Sequence, residues 1–154
     1  LRSAAMMQDD VETIAAATDM LAEAKLTPEL RNEALYFRAK AYLNQQADKK
    51  AMNDLQALAK DTRTLYGAEA KYLVALQLYK AHEYAAAEKE ILNFIEQSTP
   101  HAYWLARSFI LLSDVYVSMD KKLDARQYLL SLQQNYHADD DIEQMINERL
   151  EKLK

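Results

Sequence analysis

The stretch HAYWLARSFILLSDVYVSMDKKLDARQYLLSLQQNY, residues 101–136, predicts two helices joined by a tight connection. Its first half repeats apolar residues at the three-and-four spacing of one helical face, ending at Val115 and Tyr116. After residues 119–121 the pattern restarts in a different phase, from Leu123 onward. Two helices cannot bury both of their apolar faces alone, so this hairpin needs neighbours like itself.

Related hairpins precede it in the chain. Tyr42, Tyr79 and Tyr116 are separated by 37 residues each. A small residue follows each tyrosine, and these are Ala51, Ala87 and Ala125. The second of them comes eight rather than nine residues after its tyrosine, which predicts that the middle connection is one residue shorter. A repeat of this pitch predicts a stacked array of helix pairs.

The composition favours an all-α fold. The 154 residues include one glycine and two prolines, so tight turns that need a positive φ are nearly excluded. A net charge of −5 without a basic stripe argues against nucleic-acid binding. The absence of cysteine removes disulfides and thiolate zinc sites. No apolar run of eighteen residues occurs, so no membrane insertion is predicted.

The period divides the chain into five parts: a partial repeat (1–26), three repeats (27–63, 64–98 and 99–137) and a C-terminal capping helix (138–154). In the partial repeat, residues 1–8 are expected to end a helix that starts upstream. Residues 10–25 are expected to form its partner, capped by Asp9 or Asp10. This register implies that the chain is a fragment of a longer array.

Polar residues mark the other predicted helix starts. Thr27 before Pro28 has the pattern of an N-cap followed by proline in the first turn, and Thr64 follows 37 residues later. Thr99 before Pro100 repeats the pattern for the third pair. Asp140 with Glu143 resembles a capping box before the last helix.

The pattern resembles the tetratricopeptide repeat. The third pair carries it best, in Phe109, Leu112, Ser113, Tyr116, Ala125, Leu129 and Leu132. Arg38 stands where this family usually has leucine, and the pitch is about 37 residues instead of about 34. The resemblance implies a right-handed α-solenoid whose concave face is lined by the first helix of each pair, here called the A helix. Longer, tyrosine-rich repeats are also similar to those of bacterial cell-envelope members of the family.

The resemblance also implies candidate partner-binding residues on the A helices. Tyr36, Leu73 and Ile110 would form an apolar strip, and Lys40, Gln77 and Asp114, four residues further on, its polar edge. In the alternative interpretation, the first three pack one A helix on the next. Only Lys40 is compatible with the carboxylate clamp of the chaperone-binding family members. Trp104 near the start of the third A helix is either an interface residue or a contact to the second helix of the preceding pair.

The sequence predicts a function without catalysis, metal or cofactor. His82 and His101 lack a second ligand at helical spacing, and the acids three and four residues after His137 lie in a predicted break between helices. No nucleophile, base and acid occur together. We expect a protein-interaction module that docks a peptide or helix of a partner protein on its A-helix face, as part of a larger protein. The alternative is a structural spacer or self-association segment that stacks through its N-terminal end.

Overall fold

The computed structural model describes residues 4–97 and 99–154. Residues 1–3 of the predicted partial repeat, and Ser98 at the predicted end of the second repeat, lie outside this range. The regular structure of the described residues consists of eight α-helices, which confirms the all-α prediction. They are α1 (Ala4–Leu21), α2 (Pro28–Asn44), α3 (Asp48–Leu58), α4 (Leu65–Lys80), α5 (Tyr84–Glu96), α6 (Ala102–Ser118), α7 (Lys122–Asn135) and α8 (Ile142–Lys152).

The chain forms two compact units, Leu1–Lys71 and Tyr72–Lys154, and α4 contributes to both. In the first unit, α2 packs against α1 on one side and α3 on the other. In the second unit, α6 packs against α5, α7 and α8. The five-part division of the sequence into repeats stays a prediction.

The three helical hairpins α2–α3, α4–α5 and α6–α7 close with the same backbone turn. In each turn an N–H group bonds to the carbonyl five residues earlier: Ala47 to Tyr42 at 2.8 Å, Glu83 to Leu78 at 2.9 Å and Lys121 to Tyr116 at 2.7 Å. This is the longer hydrogen bond of the Schellman motif, which ends a helix with a left-handed residue.

That left-handed residue is not glycine in any of the three turns. Gln46, His82 and Asp120 have φ values of 60°, 63° and 61°. The expectation that scarce glycine excludes positive-φ turns is therefore wrong. Helices that are held on both sides of a turn can force an ordinary residue into this region at a modest cost.

These turns also correct the register of the middle repeat. The residue equivalent to Tyr42 and Tyr116 is Leu78, because its carbonyl accepts the turn hydrogen bond. The Tyr79 carbonyl instead accepts the bond from His82. The middle connection is thus as long as the other two. The one-residue difference in repeat spacing therefore arises before Leu78, not in the connection. The true spacings between the left-handed residues are 36 and 38.

In the corrected register, the buried residues of the three hairpins occupy equivalent positions. Nine, thirteen and sixteen residues after Tyr42, Leu78 and Tyr116 come side chains that are all buried. These are Ala51, Ala87 and Ala125, then Leu55, Ile91 and Leu129, then Leu58, Phe94 and Leu132. Three residues before the same points lie the buried small residues Ala39, Ala75 and Ser113. Each hairpin therefore closes through a small residue on each helix, which allows close approach.

Two of the predicted helix starts are confirmed and one is wrong. The Thr27 hydroxyl accepts from the Leu30 N–H at 3.3 Å, and that of Thr64 from the Gly67 N–H at 2.9 Å. The Thr99 hydroxyl instead accepts from the His101 N–H at 3.2 Å, and α6 begins only at Ala102. Thr99 thus forms a short local turn before the helix and does not cap it.

The predicted break at Asp9 and Asp10 is also wrong, because α1 continues through both residues. The segment contains no glycine or proline and is rich in alanine, so nothing interrupts the helix. Asp10 is buried and accepts a hydrogen bond from the Asn44 side chain of α2 at 3.3 Å. It joins two helices instead of starting one.

The last helix has the expected single apolar face, because Ile142 and Ile146 are its buried residues. They complete a core cluster with Ala106, Ile110, Leu129 and Leu132. The expected capping box is wrong, because the residue that precedes α8 is Asp141 and its side chain makes no capping hydrogen bond. The Asp140 carboxylate accepts from the Ile142 N–H at 3.0 Å, but the Asp140 N–H donates to the Ala138 carbonyl and not to Glu143.

Candidate interaction surfaces

Tyr36, on α2, is fixed by the start of α4 in the first unit. Its hydroxyl donates to Glu69, lying 3.1 Å from both carboxylate oxygens, and its ring stacks on Tyr66 with centroids 4.3 Å apart. Lys40, one helical turn further on, donates to the same carboxylate at 3.1 Å. Glu69 is buried, so one tyrosine and one lysine four residues apart together satisfy a buried acid.

Burial and the neighbouring carboxylate also change the acidity of Tyr36. Partial removal from water raises the pKa of the hydroxyl to about 12, and the negative charge of Glu69 acts in the same direction. The hydroxyl thus remains a hydrogen-bond donor to Glu69 well above the ordinary tyrosine range.

The second unit contains the same arrangement between α4 and α6. Tyr72 lies against Trp104 with ring centroids 5.6 Å apart. Its hydroxyl accepts a hydrogen bond from Arg107 at 3.1 Å. Trp104 therefore contacts the preceding A helix. The sequence offered an interface or a contact to the second helix of the preceding pair as alternatives.

The two arrangements occupy equivalent positions in the corrected register. Tyr36 corresponds to Tyr72, Tyr66 to Trp104, and Glu69 to Arg107. In both units a tyrosine of one A helix stacks on an aromatic ring of the next. In both, its hydroxyl meets a charged side chain three residues after that ring. The direction of the hydrogen bond differs, since Glu69 accepts it from a tyrosine hydroxyl and Arg107 donates it to one.

The predicted apolar strip is not an open surface. Leu73 is 9% exposed and Ile110 only 1%, with Ile110 inside the core cluster beneath α8. The expectation that these two side chains are exposed is wrong, because positions on an A helix that face another helix become core. The predicted equivalence of Leu73 is also wrong by one residue, since Tyr72 is the counterpart of Tyr36. The geometry supports the helix-packing alternative for Tyr36, whereas Ile110 packs against α7 and the capping helix α8.

The predicted polar edge is divided among separate contacts. Lys40 is paired with Glu69, as described above. Asp114 accepts two hydrogen bonds from Arg149 of α8, at 2.9 and 3.0 Å. Gln77 is half-buried. Two of the three residues therefore hold their own unit together.

Sequence reasoning missed an apolar groove between α1 and α2. It encloses about 280 Å³, with a floor of alanines and two large side chains, Met20 and Phe37, beside it. Thr13 and Glu33 are the polar lining residues. Phe37 is 47% exposed and Met20 and Leu30 are nearly as open. A sequence signal existed, because α1 carries Met6, Met7, Val11 and Met20 on more than one face.

The described residues also bear on metal sites and on membrane-spanning helices. No group of three or more histidine, aspartate or glutamate side chains suited to a metal ion occurs within residues 4–97 and 99–154. His82 lies at a left-handed turn position, with its ring Nδ1 2.6 Å from the Tyr84 hydroxyl oxygen. In the same ranges, no helix has both the length and the apolar character needed to cross a bilayer.

Comparison with protein-family models, curated proteins and solved structures finds no match to this chain.

Proposed function

We propose that this chain is a non-enzymatic protein-interaction module that docks a helical segment of a partner protein. Its helix pairs would be tetratricopeptide-like and stack as a right-handed α-solenoid, as expected from the sequence. We assign the partner's binding site to the groove between α1 and α2, where α2 is the first A helix. The rest of the predicted apolar strip is not part of this binding site, because Leu73 and Ile110 are buried.

One observation carries this proposal, the exposure of Phe37. In the corrected register Phe37 corresponds to Leu73 and Leu111, which are 9% and 3% exposed, whereas Phe37 is 47% exposed. Contiguous exposed apolar surface with a polar rim is typical of binding sites. Grooves between helices that expose large apolar side chains commonly receive an amphipathic helix.

A displayed library of amphipathic helices, selected on the full chain, tests the proposal. We expect binders that lose affinity for a Phe37→Asp variant. They should keep their affinity for a Leu123→Asp variant, because Leu123 is an equally apolar, 81% exposed residue on α7. Binders that are indifferent to Phe37→Asp would overturn this function.

The alternative, self-association through the N-terminal region, uses the same exposed surface. Light scattering over a range of concentrations separates the two. A monomer at high concentration supports a partner protein. A dimer that Phe37→Asp dissociates and Leu123→Asp does not would support the structural role instead.

A further inference from the structure

The chain contains two complete examples of how one A helix covers the next. In the first unit, Tyr36 of the covering helix α2 stacks on Tyr66 and bonds to Glu69. In the second unit, Tyr72 of the covering helix α4 stacks on Trp104 and bonds to Arg107. The covered helix thus offers an aromatic ring and, three residues later, a charged partner for the tyrosine hydroxyl.

Helix α2 carries the same receiving positions, and their side chains are exposed. Leu30 corresponds to Tyr66 and Trp104, and Glu33 corresponds to Glu69 and Arg107. Leu30 is 44% exposed and Glu33 is exposed, while Phe37 on the same face is open as well. The receiving surface of an A helix is therefore present on α2 and uncovered.

The charge at this surface defines what can cover it. Glu33 is an acid like Glu69, which takes its hydrogen bonds from a tyrosine and a lysine four residues apart. Across the groove, α1 contains four acids and no lysine or arginine from residue 4 to 21. Three of them, Asp9, Glu12 and Asp19, are exposed. Glu33 is thus the acid among the residues that line the groove, and α1 adds further negative charge beside its apolar floor.

We infer that the α1–α2 groove takes a basic amphipathic helix that presents tyrosine and, four residues later, lysine. The tyrosine ring lies on Leu30, and its hydroxyl together with the lysine ammonium donates to the Glu33 carboxylate. Apolar side chains on the same face pack against Phe37 and Met20. This inference rests on the proposed function and gives it the chemistry of the partner.

A second copy of this chain is a poor source of that helix. Its own tyrosine–lysine pair on α2 is already bound to Glu69, and its Tyr72 is bound to Arg107. Presenting the tyrosine–lysine pair to another molecule would leave the buried Glu69 carboxylate without these partners, which is costly. A partner protein that carries the pattern on a free helix has no such cost.

The sequence of α2 itself provides the probe, because in an isolated peptide its tyrosine and lysine are free. We would measure binding of a synthetic helical peptide of residues 28–44 to the full chain by fluorescence anisotropy. Changing Lys40→Glu in the peptide should weaken binding about tenfold, the usual effect of losing one charge-assisted hydrogen bond. A Glu33→Lys variant of the protein should then prefer the Lys40→Glu peptide.

The outcomes separate the inference from the function on which it rests. The reversal of preference by Glu33→Lys supports the inference, as does loss of binding with Phe37→Asp. Equal binding of both peptides to the unaltered chain would overturn the tyrosine–lysine pattern and leave the docking module standing. A second pair of results would also overturn the tyrosine–lysine pattern. In that case the α2 peptide does not bind, and the library yields Phe37-dependent binders whose sequences lack the pattern. A library without binders dependent on Phe37 overturns the proposed function itself.

Discussion

Arg38 and Asp54 form a two-pronged ion pair between α2 and α3, with N–O distances of 2.6 and 2.8 Å. Asp54 is buried, and Arg38 also donates to Thr18 of α1 at 3.2 Å. Three helices of the first unit thus meet at one guanidinium. Arginine thus stands where the resembled family has leucine, and it faces an acid. In the second unit the corresponding residues are Val74 and Glu90 in α4–α5, and Leu112 and Tyr128 in α6–α7.

Removing one partner of this ion pair is expected to destabilise the chain strongly. Arg38→Leu or Asp54→Ala should each lower the free energy of unfolding by about 3 kcal/mol, because a largely buried charge loses its counter-charge. The double variant Arg38→Leu/Asp54→Leu should lose much less than the two single changes together. Urea unfolding followed by circular dichroism measures all three.

The exposed pair Asp61–Arg63 provides the control. Its atoms are as close, at 2.9 Å, but both side chains are largely in water, so Arg63→Ala should have no measurable effect. Equal losses at the two pairs would contradict the explanation by burial.

The hydrogen bond between Tyr36 and Glu69 predicts a loss of stability in alkali. The unfolded chain releases the tyrosine proton near pH 10, whereas the folded chain holds it to about 12. Between these values the unfolded state binds fewer protons, so the free energy of unfolding falls as pH rises. The Tyr36→Phe variant should lose less stability than the original chain over this range. Parallel profiles of the two proteins would refute a role for this hydroxyl.

Glycine at a left-handed turn position should stabilise the chain. Gln46 has a φ of 60°, which strains any residue with a Cβ atom. Gln46→Gly should therefore raise the free energy of unfolding by about 0.5–1 kcal/mol. The adjacent Gln45 has a φ of −87°, so Gln45→Gly should lower stability instead. Thermal unfolding of both variants checks this, and a gain from both would show that the turn is unstrained.

The only glycine in the sequence, Gly67, should not tolerate a side chain. A Cβ atom there would clash with the Asp61 carbonyl oxygen and approach the Thr64 hydroxyl oxygen to 2.6 Å. Gly67→Ala should cost about 2 kcal/mol despite the higher helix propensity of alanine, because backbone atoms must move. Denaturant unfolding measures whether Gly67→Ala lowers or raises the free energy of unfolding. Helix propensity alone predicts a gain of about 1 kcal/mol.

Much of the fold was accessible from the sequence. Apolar periodicity and the small residues Ala51, Ala87 and Ala125 placed the hairpins, because helix packing requires small side chains at close crossings. Thr27 and Thr64 marked two helix starts, because a hydroxyl can satisfy a free N–H group. These features follow from the size and the hydrogen-bonding groups of the residues themselves, so the sequence alone predicts them.

The sequence did not predict the register of the middle hairpin. It also did not predict which apolar surface remains exposed. Tyr79 lies 37 residues from both other tyrosines, yet the backbone hydrogen bonds select Leu78. Left-handed glutamine, histidine and aspartate carry no sequence signal of their own. The expected exposure of Ile110 was wrong because its burial depends on α8, a contact over more than thirty residues. Only the positions of neighbouring helices show which apolar residues stay exposed.

The three identical turns also have a kinetic consequence. Each brings together residues only a few positions apart, so closing a hairpin costs little chain entropy and needs no distant segment. Chains dominated by such local encounters reach the native state quickly, often within milliseconds. Nascent hairpins could therefore form one after another during synthesis.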